Sequence, residues 1–211
     1  MNDYDTYWEG QRRTILSATV TLILVAADLV IYLVEIIGKW PVYETYALDT
    51  LAVATQGEYY RLITAMFMHA SIPHLLSNMA ILLLLGAGVE RELGHMAYGL
   101  LYILGGLAGN VVTVVWDSMT GGPTMSIGAS GAVFSVIGGI VVIFIREKGQ
   151  LVARRGLAIR LGLMVLYSLG VGFGQSEINN AAHVGGFVAG VLLTGIYTAL
   201  ARRRYSLAGW I

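Results

Sequence analysis

Six apolar stretches punctuate the chain, at about 14–37, 73–89, 95–116, 127–145, 157–173 and 181–200. A helix that crosses a bilayer needs roughly 20 such residues, and each stretch comes close to that length. Three of them are short or interrupted by polar residues, which a helix tolerates when it packs inside a bundle and lines a cavity. The pattern predicts an all-α membrane protein: a bundle of six transmembrane helices over 14–201, with short polar tails at 1–13 and 202–211. The first run exceeds the apolar core of a signal peptide and reads as the first span. The first connection, about 38–72, is partly apolar and carries Trp40, Tyr43, Tyr46, Tyr59 and Tyr60. It reads as a segment lying in the outer membrane interface, with a re-entrant helix around 60–72 as the alternative.

Charge gives the bundle a direction. Of the 13 basic residues, Arg12, Arg13, Arg91, Arg146, Lys148, Arg154, Arg155, Arg160, Arg202, Arg203 and Arg204 fall on one side of the predicted bundle. Only Lys39 and Arg61 fall on the other. The positive-inside rule then predicts a multi-pass protein of the cell membrane with both termini cytoplasmic. Composition agrees, since 56% of residues are hydrophobic and 12% charged, well under the charged share of a soluble domain. The net charge of zero gives nucleic acid no purchase, so the lipid bilayer is the expected surrounding. With no cysteine, disulfides, thiolate metal sites and cysteine nucleophiles are excluded. His69 and His74 are five apart with Pro73 between them, and no HExxH occurs, so neither a metal nor another cofactor is expected.

In this topology the even-numbered spans all start at the outer face. His74 and Asn78 stand near the start of span two, Ser130 near the start of span four and His183 near the start of span six. Four polar side chains are thereby predicted at one depth. Span four carries Gly131, Ser135 and Gly139 at four-residue spacing, and span six carries Ala182, Gly186 and Gly190. Such small-residue stripes let helix backbones approach closely in membranes. Ser130 precedes the first stripe and His183 lies within the second, so a hydrogen bond between them is geometrically reasonable. His74 and Asn78, four apart, share a helix face.

These residue types permit one chemistry. A serine hydroxyl becomes a nucleophile when a base takes its proton, and neutral imidazole suits that role near neutral pH. The tetrahedral oxyanion that follows needs donors aimed at it. His74, the Asn78 amide and the Ser130 backbone N–H are candidates, helped by the start of a helix at Ser130. Gly128 permits a sharp entry into that helix. Glu177, before span six, and Asp117, before span four, are the acidic residues within reach, but neither has a spacing that compels a triad. A Ser130–His183 dyad is the expectation.

The ordered set MHASIPHLLSN (68–78), VERELG (89–94), GASGAVF (128–134) and AHVGGFVAG (182–190), carried on six spans, resembles the rhomboid intramembrane serine proteases. The resemblance runs from about Tyr60 to the end of span six. It implies Ser130 as nucleophile and His183 as base, with His74, Asn78 and Gly128 around the oxyanion hole. It implies structural roles for His69 and Arg61, which support the first loop, for Glu90 at the inner end of span two, and for the packing glycines Gly186 and Gly190. Tyr60 stands where the family's loop carries tryptophan, and Phe134 where many bacterial members carry tyrosine. Its phenyl ring can stack on the His183 imidazole but donates no hydrogen bond. The implied substrates are single-span membrane proteins, cut near the outer end of the span after a small residue. The implied route is lateral, past span five and under the loop 172–182.

Asp28 lies within span one, and Glu35 near its outer end. An intramembrane carboxylate is a functional candidate by default; here it is either a packing residue or one that tunes a water cavity. Glu92 and His95 read as solvated residues of the inner face. A non-catalytic binder of membrane helices, like inactive relatives of rhomboids, and a small transporter with a polar cavity are the competing functions.

Overall fold

The structure is a computed structural model that describes residue 9 and residues 12–38, 42–146 and 179–201. The predicted fifth span, Glu177 and most of the loop 172–182 lie outside the described residues. The described residues are predominantly helical, as expected, with one two-stranded sheet of two residues a side. Thr19–Gly38 (α1), Ile72–Leu93, His95–Thr120 and Asn180–Ala201 are each long and apolar enough to cross a membrane, and Ser130–Arg146 is a shorter apolar helix.

The chain enters α1 after a break in the helix at Ala18. The N–H groups of Val20 and Thr21 there would lack intrahelical partners. Glu90 supplies one: its carboxylate accepts from the N–H of Val20 and Thr21, both at 2.8 Å, and from the Thr21 hydroxyl at 2.7 Å. His95 closes on the same carboxylate. Glu90 is buried and caps α1 from a helix 70 residues away. His95 is exposed yet hydrogen-bonded, and Glu92 is half-buried and paired with Arg91, so these two are not free solvated charges.

The connection after α1 is a folded unit. It contains α2 (Val42–Tyr46), β1 (Leu48–Asp49), α3 (Thr50–Gln56), α4 (Arg61–Thr64) and a 3-10 turn, Ala65–Phe67. The alternative of a re-entrant helix over 60–72 is thus met only as a short helical piece. Arg61 is buried; its guanidinium donates to the carbonyls of Glu44 (3.0 Å) and Ala47 (2.9 Å) and pairs with Glu58. That charge has turned inward and knits the loop together. Tyr43, Tyr46, Tyr59 and Tyr60 are exposed.

The span Ile72–Leu93 is α5 (Ile72–Ile81), a π-helical turn (Leu82–Gly86) and α6 (Ala87–Leu93). Ser71 caps it and Pro73 occupies its first turn, where a missing N–H does no harm. Gly94 then reverses the chain into α7 (His95–Thr120). Asp117 lies within the last turn of α7 and not in a loop. Its carboxylate accepts from the Thr50 hydroxyl (2.8 Å), the Thr124 hydroxyl (2.6 Å) and the Thr124 N–H (3.1 Å). Next to it β1 pairs antiparallel with β2 (Met125–Ser126), Leu48 opposite Ser126.

The helices α8 (Ser130–Arg146) and α9 (Asn180–Ala201) pack on one another and on α7. The small-residue stripes form this contact. A Cβ at Gly186 would fall on the carbonyl of Gly131, one at Gly190 on the carbonyl of Ser135, and one at Gly138 on the carbonyl of Phe187. The apolar core between α1, α5, α6, α7 and α8 includes Leu82, Val89, Tyr98, Tyr102, Val136, Ile137 and Ile140. Asp28 is fully buried on α1, and its carboxylate has no hydrogen-bond partner among the described residues.

Candidate active site

The starts of α5, α8 and α9 meet at one end of the bundle. At the head of α8 the chain passes through Gly128 at φ +135°, a conformation that disfavours any L side chain. Its N–H donates to the Ala65 carbonyl at 2.9 Å, which fixes the segment against the first connection. A Cβ here would stand 2.7 Å from Cε1 and 2.9 Å from Nε2 of His74. Gly128 is therefore required twice, for its backbone angle and for room beside the imidazole.

Two residues later Ser130 opens α8, half-buried, with the free N–H groups of the helix start around it. Its hydroxyl lies 2.9 Å from Nε2 of His183. His183 is buried in the first turn of α9, and its N–H donates to the Asn179 carbonyl at 3.2 Å. Phe134, one turn after Ser130, stacks on the imidazole with ring centroids 4.3 Å apart and planes 6° from parallel. The His183 ring is thus held by a face-on aromatic and by its bond to Ser130, while its Nδ1 has no partner among the described residues. Asp117, committed to Thr50 and Thr124, is not the third member of a triad.

His74 and Asn78 stand one turn apart on α5. The Asn78 side chain is buried, and its Nδ2 has no partner among the described residues. His69 comes closer to this group than a support for the first loop need do. Its ring meets the His74 ring edge-on, with centroids 5.1 Å apart. Burial first, and the neighbouring His74 second, pull its pKa from 6.5 to about 4, so it is neutral at physiological pH. Among the described residues no cluster of three metal-ligating side chains forms.

Three residues of the site escaped the sequence reading. Asn179 takes the Ala182 N–H (2.9 Å) and the Thr113 hydroxyl (3.0 Å) on its Oδ1, and donates from Nδ2 to the Ser126 hydroxyl (2.9 Å). An asparagine just before a helical run is an N-cap signal, and it was there to be read. Its bonds to Thr113 and Ser126 are tertiary and leave no local trace. Chemically, the arrangement sets an alcohol against an imidazole at a helix start, beside a further imidazole and a buried amide.

Comparison with known proteins bears on this arrangement. The family model for the Rhomboid domain matches residues 56–200. The chain is 36% identical over 138 residues to RHOMBOID-like protein 5 of Arabidopsis thaliana, covering 65% of this chain and 44% of that protein. It is 30% identical over 176 residues to Rhomboid protease GluP of Bacillus subtilis (strain 168), covering 82% of this chain and 33% of that protein. Against Putative rhomboid protease YdcA of the same organism it is 32% identical over 149 residues, covering 71% of this chain and 72% of that protein. The match thus spans less than half the length of the first two relatives.

Proposed function

This chain belongs to the rhomboid family, and from that premise we propose that it is an intramembrane serine endopeptidase that works through a Ser130–His183 dyad. The observation that carries the reading is the 2.9 Å contact between the Ser130 hydroxyl and Nε2 of His183. In the proposed reaction Nε2 takes the hydroxyl proton as Ser130 Oγ attacks the scissile carbonyl. The tetrahedral oxyanion lies toward the Ser130 N–H, His74 and Asn78; one such donor contributes about 2.7–4 kcal/mol to the transition state. The imidazolium then protonates the leaving amine, and a water activated by the same imidazole releases the acyl group. Orientation of His183 comes from the Phe134 stack rather than from a carboxylate. The substrates are single-span membrane proteins, cut at the end of the bundle where Ser130 lies. The chain is read as six spans in the cell membrane with both termini cytoplasmic, the fifth at 157–173.

A catalytically inert binder of membrane helices is the competing reading, and the Ser130–His183 contact argues against it, since a binder needs no such pair. Fluorophosphonate treatment in detergent micelles, with mass-spectrometric mapping, separates the two. The protease reading expects one adduct, on Ser130, lost in His183→Ala. Ser130 left unmodified in the folded protein would favour the binder.

A further inference from the structure

The two residues of the dyad stand on helices that touch through glycine and backbone: Gly186 on the Gly131 carbonyl and Gly190 on the Ser135 carbonyl. Close contact of this kind brings helix axes together. A smooth face does little to fix how far one helix slides along the other. The Ser130–His183 distance depends on that slide.

A second link joins the same two segments one turn outside the dyad. Asn179 precedes His183 by four residues, Ser126 precedes Ser130 by four, and the Asn179 amide donates to the Ser126 hydroxyl at 2.9 Å. Neither end is loose. Ser126 sits in β2, paired with Leu48, and two residues on the Gly128 N–H is fastened to Ala65. Asn179 is held by the Ala182 N–H and by the hydroxyl of Thr113, which lies on α7. One amide thus joins the head of α9, the flank of α7 and the strand that leads into Ser130.

We propose that Asn179, acting through Ser126, is a positioning residue that sets the axial register of α9 and with it the reach of His183 to Ser130. The proposal rests on the dyad reading above. A simple helix cap would need only the bond to Ala182; the bond to Ser126 is what a register device requires and a cap does not. Ser126→Ala therefore separates the two roles, because it removes the link and leaves the cap and the Thr113 bond in place.

The test uses the full chain in micelles, well below its melting midpoint, with two readouts. One is the rate of fluorophosphonate labelling at Ser130. The other is the 15N signal of the His183 imidazole, which reports its bond to Ser130 whether or not the protein turns over. Ser126→Ala and Asn179→Ala are expected to slow labelling by roughly tenfold to a hundredfold, the scale of an ångström of misplacement. Both should shift the Nε2 signal toward that of Ser130→Ala. Ser126→Thr keeps the hydroxyl, and Asn179→Asp keeps an acceptor for Ala182 and can receive the Ser126 proton; both should restore most of the rate. A wild-type rate and an unmoved Nε2 signal in Ser126→Ala would overturn the proposal, whatever the melting temperature does. If the wild-type protein takes no label while the Nε2 signal still moves in Ser126→Ala, the protease reading fails and the register role stands.

Discussion

Gly186→Ala probes the same geometry from the other side. A Cβ at Gly186 would fall on the Gly131 carbonyl oxygen, with the carbonyl carbon at 2.9 Å and Cα at 3.3 Å. These are backbone atoms and cannot rotate away. Non-bonded carbons rest at about 3.5–4.0 Å, so the carbonyl carbon alone makes α9 back off α8 by at least roughly 0.6–1.1 Å, and the nearer oxygen asks for more. His183 is one turn from Gly186 and Ser130 adjoins Gly131, so the displacement reaches the dyad. The Ser130–His183 contact, now 2.9 Å, would open to about 3.5–4 Å, beyond hydrogen-bond range. Overpacking itself costs about 1–3 kcal/mol, and misplacement on this scale costs on the order of a hundredfold in rate. The assay is cleavage of a reporter span in proteoliposomes, with the melting midpoint measured alongside. Gly131→Ala is the graded comparison, since its Cβ would make only ordinary contacts with Ala182, the nearest being its carbonyl oxygen at 3.5 Å. Gly195→Ala, with nothing within 4 Å of its Cβ, is the neutral control. Near-wild-type cleavage by Gly186→Ala would refute the claim that this glycine sets the approach of His183.

Other substitutions read other parts of the account. Phe134→Leu keeps an apolar side chain but loses a stack that contributes about 0.5–1.5 kcal/mol, so cleavage should slow by roughly two- to tenfold; no change would mean the stack does not hold His183. Asp117→Ala leaves the Thr50 and Thr124 donors short of an acceptor, and the protein should lose about 2–3 kcal/mol of stability, seen as a lower melting midpoint. Labelling of Ser130 below that midpoint should persist, and its loss would implicate Asp117 in the chemistry after all. His69 gives a pH signature. Its folded pKa of about 4 lies below the unfolded 6.5, so between those values the unfolded chain binds a proton that the folded one does not. Stability should therefore fall as pH drops from about 6.5 to 4, by up to about 3 kcal/mol from this group. His69→Gln should flatten the melting curve's dependence on pH in that window, and an unchanged slope would show that His69 is not held neutral.

The legible parts of the molecule were those written in periodicity and spacing. Apolar runs locate five of the helices to within a few residues, and the stripes through Gly131 and Gly186 point to the α8–α9 contact. The Ser130–His183 approach followed, because two helices that start at one end and touch through small residues bring their first turns together. The first connection was less legible. Its one strand has two residues, and it is held by Arg61, Asp117 and Asn110 reaching carbonyls and hydroxyls 14–67 residues away. Such bonds have no period. Asp117 looked like a loop residue because the apolar run fades at 116, whereas α7 continues to Thr120 with its carboxylate satisfied by tertiary donors. Asn179 shows the same limit, since its cap was local and readable but its bond to Ser126 was not.

The central claim is that Ser130 and His183 together cut a membrane-embedded peptide bond. Its most direct test is reconstitution of the full chain in lipid vesicles with a single-span reporter, analysed by mass spectrometry of the products. The account predicts one cut within or beside the reporter's span, present with the wild-type chain and absent with Ser130→Ala and with His183→Ala, both still folded. Cleavage at the wild-type rate in either variant would contradict it.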